Sequence, residues 1–120
     1  MKIFVICSVR SASDEYRKKL EDYASKLEAK GHRVHLPHRD TDQSDTGMNI
    51  LITNTKALVD ADEVHIFYCQ SSQGSHFDIG VCFLLKKKIV VVENEEYGPG
   101  KSFARVLDEW EDGGIPDAPC

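Results

Sequence analysis

Short, unbroken apolar runs alternate along this chain with longer segments in which apolar residues recur at helical spacing. The first run, KIFVIC at 2–7, has no polar interruption after its lysine, as expected of a strand buried on both faces. Ser13, Asp14 and Glu15 then supply an N-cap and an acidic first turn. Tyr16, Leu20, Tyr23, Ala24 and Leu27 follow at helical spacing, which puts both tyrosines on the core side, and Gly31 supplies the stop. A second strand at 33–37 ends at Pro37, and the polar stretch 38–46 predicts a loop. Met48, Leu51, Ile52, Leu58 and Val59 form the stripe of a second helix. A third strand covers 63–69, followed by a Ser/Gln/Gly loop over 70–75. Phe77, Val81, Leu84 and Leu85 mark a third helix, closed by Lys86, Lys87 and Lys88, cations that suit a helix C-terminus. A fourth strand at 88–92 and a turn at 97–100 lead to a last helix with Phe103, Val106, Leu107 and Trp110 on one face.

Strands alternating with helices in this way make right-handed βαβ units. The pattern predicts one α/β domain over 1–112, a three-layer flavodoxin-like (Rossmann-like) fold with a parallel sheet of four or five strands. A flexible tail is expected over 113–120, where two Gly and two Pro fall together. Ligands of such sheets bind beyond the carboxyl ends of the strands. Two chemically distinctive loops are expected there, 8–13 after the first strand and 70–75 after the third.

Charge and composition narrow the partners. With 15 basic against 20 acidic residues the net charge is −5, and the one run of three lysines is Lys86 to Lys88, so a nucleic acid polymer is not the expected partner. A small anion remains compatible, because one or two aimed donors hold it. The apolar runs fall far short of the roughly 20 residues that span a bilayer, and the N-terminal pattern is that of a strand rather than a secretory leader. Cys7, Cys69, Cys82 and Cys120 show no CxxC pairing, so reduced thiols in a cytoplasmic protein are expected, with no metal and no cofactor. Gly100, Lys101 and Ser102 end like a phosphate-binding P-loop, but Glu95 stands where that motif needs its first glycine. No GxGxxG follows the first strand, and the acidic pair of a receiver domain is absent there. His32, His35 and His38, three apart across a strand, read as surface histidines.

The chemistry concentrates in the two loops. Between a buried strand and the positive end of a helix, Ser8, Val9 and Arg10 can surround an anion with backbone N–H groups, a hydroxyl and a guanidinium fork. The same residues also fit a plain polar loop in which Ser13 caps the helix and Arg10 is solvated. In the second loop, Asp78 is expected in the first helical turn, where the dipole keeps a carboxylate ionised. A carboxylate beside a sugar ring attacks an anomeric carbon or stabilises an oxocarbenium ion. Equally, Ser75 and Asp78 have the spacing of a capping box with no further role.

Taken together, Cys7-Ser8-Val9-Arg10, Ala61-Asp62 and Ser72-x-Gly74-x-x-x-Asp78-Ile79-Gly80 resemble the nucleoside 2-deoxyribosyltransferase superfamily, and within it the 2'-deoxynucleoside 5'-phosphate N-hydrolases. The pattern covers residues 1 to 92 in order. This resemblance implies a flavodoxin-like homodimer that binds a small nucleotide at the strand C-termini and hydrolyses its base–sugar bond. It places Ser8, Val9, Arg10, Ser72 and the Gly74 backbone around the 5'-phosphate and Asp78 at the catalytic glutamate. Serine at 72, where the transferases have a carboxylate, favours a 5'-monophosphate over a free nucleoside, since a carboxylate would repel phosphate. The resemblance also puts Asn54 at a helix-borne carboxylate and Phe4 at a tyrosine. Those departures, with the shorter Asp78, touch turnover and leave the phosphate loops whole. A nucleotide-binding module without strong catalysis and a deoxyribosyltransferase are the alternatives.

Overall fold

The computed structural model describes residues 1–10 and 12–116. Half of the expected tail, residues 117–120 with Cys120, lies outside the described residues. Strand β1 (Lys2–Ile6) is flanked by β2 (Arg33–His35) on one side and β3 (Glu63–Phe67) on the other, and β4 (Ile89–Glu93) pairs with β3. All three pairings are parallel, in the order β2-β1-β3-β4, with Phe4 opposite both His35 and Val64. The helices are α1 (Asp14–Ala29), α2 (Pro37–Asp40), α3 (Gly47–Asp60), α4 (Gln73–Leu84) and α5 (Phe103–Gly113). The expected three-layer parallel α/β fold is observed, with four strands.

The alternation of β1 divides the core. Val5 and Cys7 face α1, packing with Leu20, Ala24 and Phe67, while Tyr16 and Tyr23 join that cluster from the helix. Phe4 and Ile6 face the other layer, with Leu58 of α3, Ile79 and Cys82 of α4, and Leu107 and Trp110 of α5. The chain moves from β1 outward to β2, then crosses back to β3 on the far side of β1. The strand order therefore reverses between β1 and β3, which places the ligand crevice beyond their carboxyl ends. Both distinctive loops begin there. Near the opposite end of the sheet, Asp62 accepts the backbone N–H of Lys2 at 2.8 Å, well away from that crevice.

Several local expectations are corrected. The polar stretch after Pro37 is not all loop: proline opens the short helix α2, its missing N–H costing nothing at the first helical position. The apolar positions of α3 do not form a core stripe. Leu58 is buried, whereas Met48 is 68%, Ile52 44% and Val59 53% exposed, because only one side of the helix meets the sheet. In α4 the buried positions are Ser75, Ile79 and Cys82, while Phe77 and Leu84 point outward. The lysine run does close α4: Lys86 adopts φ 52°, the left-handed conformation of a helix stop, and Lys87 Nζ donates to the carbonyls of Val59 and Ala61 at the end of α3. His35 and His38 are not surface residues. The ring of His35 lies flat on Phe4, with centroids 5.2 Å apart, and the side chain of His38 is only 9% exposed beside Glu21.

Candidate active site

Two helices start at the crevice, and each is capped by a serine. Ser13 Oγ accepts from the Tyr16 N–H at 3.1 Å at the head of α1. Ser72 Oγ accepts from the Ser75 N–H at 3.2 Å and donates to Ser75 Oγ at 2.8 Å at the head of α4. The loop after β3 is thus shorter than expected. Helix α4 begins at Gln73, and Ser75 is its third residue rather than its cap. This removes the capping-box alternative for Ser75 and Asp78. It also moves Asp78 to the sixth helical residue, in the second turn.

That shift changes the electrostatics of Asp78. The dipole acts mainly within the first turn, so it does not hold this carboxyl ionised as the sequence suggested. Asp78 is half-buried and makes no hydrogen bond or ion pair with another described residue, and desolvation pushes its pKa up to about 7. The thiols of Cys7, just past β1, and Cys82, one turn along α4, both feel its charge. Burial first, and Asp78 second, push each to about 12, so both stay neutral. Tyr16 of α1 is also held protonated near 12, by burial and then by Cys7. Asp78 is therefore an unpaired, partly desolvated carboxyl next to Cys7 and so beside the loop that starts at Ser8.

Around it the structure offers anion-binding donors. The N–H groups of Gln73 and Gly74 precede the first intrahelical bond of α4, from His76 N–H to Ser72 O, and bond no other described residue. A Cβ built on Gly74 would meet nothing within 4 Å, so the side of Gly74 where a side chain would stand is open. Arg10 is exposed and bonds no described residue through its side chain, Val9 is half-exposed, and among the described residues Ser8 Oγ bonds only the Arg10 carbonyl, at 3.4 Å. The Ser72 hydroxyl, by contrast, is committed to the cap.

Asn54 sits elsewhere on the same sheet face. It lies on α3, which packs beside α4, and its Oδ1 accepts from Thr41 Oγ1 at 2.6 Å. Thr41 in turn lies 2.9 Å from His35 Nε2. Sequence reasoning missed Thr41 and His35, which are joined to Asn54 only by the meeting of three separate segments. A cavity of about 670 Å³ opens on the other side of α4, against His76, Tyr68 and Phe103. Asp78 does not line it.

Two solved structures share this fold. The CMP N-glycosidase BcmB of Clostridium botulinum superposes with a TM-score of 0.65 at 22% identity, over 91% of this chain and 81% of that one. A 2-deoxyribosyltransferase of Bacillus psychrosaccharolyticus gives a TM-score of 0.66 at 16% identity, over 82% and 77%. The chain has the deoxyribosyltransferase fold. At these identities the likeness is one of architecture. No protein-family model and no curated protein matches the chain. On the deoxyribosyltransferase fold, the reversal between β1 and β3 and the two serine-capped helices define the crevice that Asp78 borders.

Proposed function

We propose that this protein is an N-glycosidase that hydrolyses the base–sugar bond of a nucleoside 5'-monophosphate. The observation that carries the reading is Asp78: a carboxyl with no partner among the described residues, raised to about 7 by desolvation, in the second turn of α4 and close to Cys7 at the end of β1. A buried carboxyl with no structural partner costs stability, and its neighbours supply a use for it. Ser8, Val9, Arg10 and the N–H of Gly74 take the 5'-phosphate, with Ser72 capping the helix whose head presents that N–H, and Asn54 is assigned to the sugar. Ionised Asp78 attacks C1' and forms an ester as the C1'–N bond breaks. That bond's electron pair leaves with the base, which takes up a proton. Water then attacks C1', the Asp78–C1' bond breaks, and sugar 5-phosphate leaves with the carboxylate restored. The CMP N-glycosidase among the fold neighbours supports this chemistry.

A second reading, nucleotide binding with weak turnover, is favoured by the short reach of Asp78 and the neutral Asn54. A deoxyribosyl transfer differs only in the acceptor that replaces water. Both readings keep the phosphate site, which Arg10→Ala tests. Calorimetry should show a loss of roughly 1.5–3 kcal/mol for a nucleoside monophosphate and almost none for the matching nucleoside. Equal losses for both would make Arg10 a structural residue.

The active form is proposed to be a cytoplasmic homodimer. Met48, Leu51 and Ile52 of α3 and Phe77 and Leu84 of α4 are exposed on helices that pack side by side, and a second copy would cover these apolar side chains. Light scattering should give twice the 13.5 kDa of one chain at micromolar concentration, and one chain's mass would remove the dimer.

A further inference from the structure

The outer edges of the sheet present backbone N–H and C=O groups that another extended chain could bond. At one edge, β2 is only three residues long and carries Arg33, and Arg39 Nη2 donates to the outward Val34 carbonyl at 3.0 Å. At the other edge, β4 is five residues long, and Ile89 to Val92 is an uncharged β-branched run whose three valines are half-buried. The Lys88 carbonyl accepts the Val64 N–H on the β3 side, so the alternation of the backbone turns the groups of Ile89 and Val91 outward. No strand lies outside β4 among the described residues. The edge is met instead by Glu111 of α5, whose carboxylate accepts the Val91 N–H. Glu111 stands in the last turn of α5, where the helix dipole disfavours an anion, so helix stability does not explain it. Each edge thus has a charged side chain of the matching kind, a cation on a carbonyl at β2 and an anion on an N–H at β4.

The charges around β4 show what fits it. Lys86, Lys87 and Lys88 precede the strand, and Glu93, Glu95 and Glu96 follow it. A parallel copy would lay like charges side by side, whereas an antiparallel copy brings the basic end of each strand to the acidic end of the other. A two-fold axis at Val91 would let the two Val91 residues exchange both backbone bonds, but only with that N–H released by Glu111. We propose that the outer edge of β4 is a docking surface for a second copy of this chain, antiparallel about Val91, and that the Glu111 carboxylate holds it closed by taking the Val91 N–H. This edge lies apart from the exposed side chains of α3 and α4, and it does not depend on the nucleotide reading.

The experiment compares wild type, Glu111→Ala and Glu111→Gln by light scattering at equal micromolar concentration, with a melting curve and residue-resolved amide hydrogen exchange for each. Glu111→Ala removes an exposed anion from a helix C-terminus and should not lower the melting temperature. Its mass should rise above the wild-type value, whichever oligomer the wild type forms. Exchange of the Val91 amide should slow about tenfold or more in that variant, because the N–H passes from a solvent-exposed side chain into a backbone ladder. An edge that is merely unmasked, with no copy docked, would exchange faster instead. Glu111→Gln keeps an acceptor oxygen over Val91 and should stay at the wild-type mass, which separates the guard from a simple loss of charge. A Glu111→Ala mass equal to wild type would overturn the inference. So would a raised mass without slower exchange at Val91, or association of Glu111→Gln to the same extent as Glu111→Ala.

Discussion

Asp78→Asn is expected to lower the rate of base release from a nucleoside 5'-monophosphate by about 10³-fold or more, roughly 4 kcal/mol of transition-state stabilisation. Binding of the monophosphate should persist, since the phosphate donors lie in the loop after β1 and at the head of α4. The amide that this substitution introduces cannot form the ester or carry the charge that offsets an oxocarbenium ion. Wild-type kcat/KM should also rise with pH through about 7, where Asp78 loses its proton. Asp78→Glu adds one methylene. If reach limits the wild type, glutamate raises turnover, since a misplacement of about 1 Å can cost around a hundredfold. Unchanged base release by Asp78→Asn, measured by chromatography, would remove Asp78 from the reaction.

The same substitution should stabilise the fold at alkaline pH. Burial pushes the Asp78 carboxyl up to about 7 in the folded protein, against 3.8 when freely solvated, so the folded state prefers the protonated form. That preference is fully present below pH 3.8 and is lost as pH rises through 7; above this, folding holds a charge in a partly desolvated place. At roughly 1.4 kcal/mol per pH unit the upper bound is about 4 kcal/mol, and solvent on the open side of Asp78 reduces it to about 2. Asparagine carries no charge to desolvate. Urea unfolding of Asp78→Asn and wild type should therefore agree near pH 4 and diverge by about 2 kcal/mol at about pH 8.5, the variant being more stable. Equal stability at both pH values would mean that Asp78 is solvated, and its raised pKa would go with it.

Much of the architecture is legible in local chemistry. The unbroken run at 2–7 and the Ser13 cap declare β1 and α1, because a doubly buried strand and a capped helix end leave a mark within a few residues. The crevice follows from the alternation of strands and helices. The start of α4 does not, because Ser72 and Ser75 are both competent caps and only the backbone at Ser72, extended at φ −86° and ψ 104°, decides between them. That one choice moves Asp78 out of the first turn and removes the dipole that would have kept it charged. Its raised pKa comes from burial near Cys7 and Cys82, contributed by different elements, and no spacing encodes it. The stripes of α3 and α4 mislead for a related reason. Periodicity marks an apolar face but not what covers it, and here the sheet takes Leu58 and Ile79 while Met48 and Phe77 stay outside. The Thr41–His35–Asn54 chain joins a strand, a loop and a helix, so its members carry no shared local signal.

The central claim, cleavage of a base–sugar bond by this crevice, is tested most directly by incubating the wild-type protein with a panel of ribo- and deoxyribonucleoside 5'-monophosphates and separating the products by chromatography. The account predicts free base and sugar 5-phosphate in equal amounts from at least one monophosphate, and none from the matching nucleoside. Tight binding of a monophosphate with no base released from any member of the panel would contradict it and leave a nucleotide-binding module on the same fold.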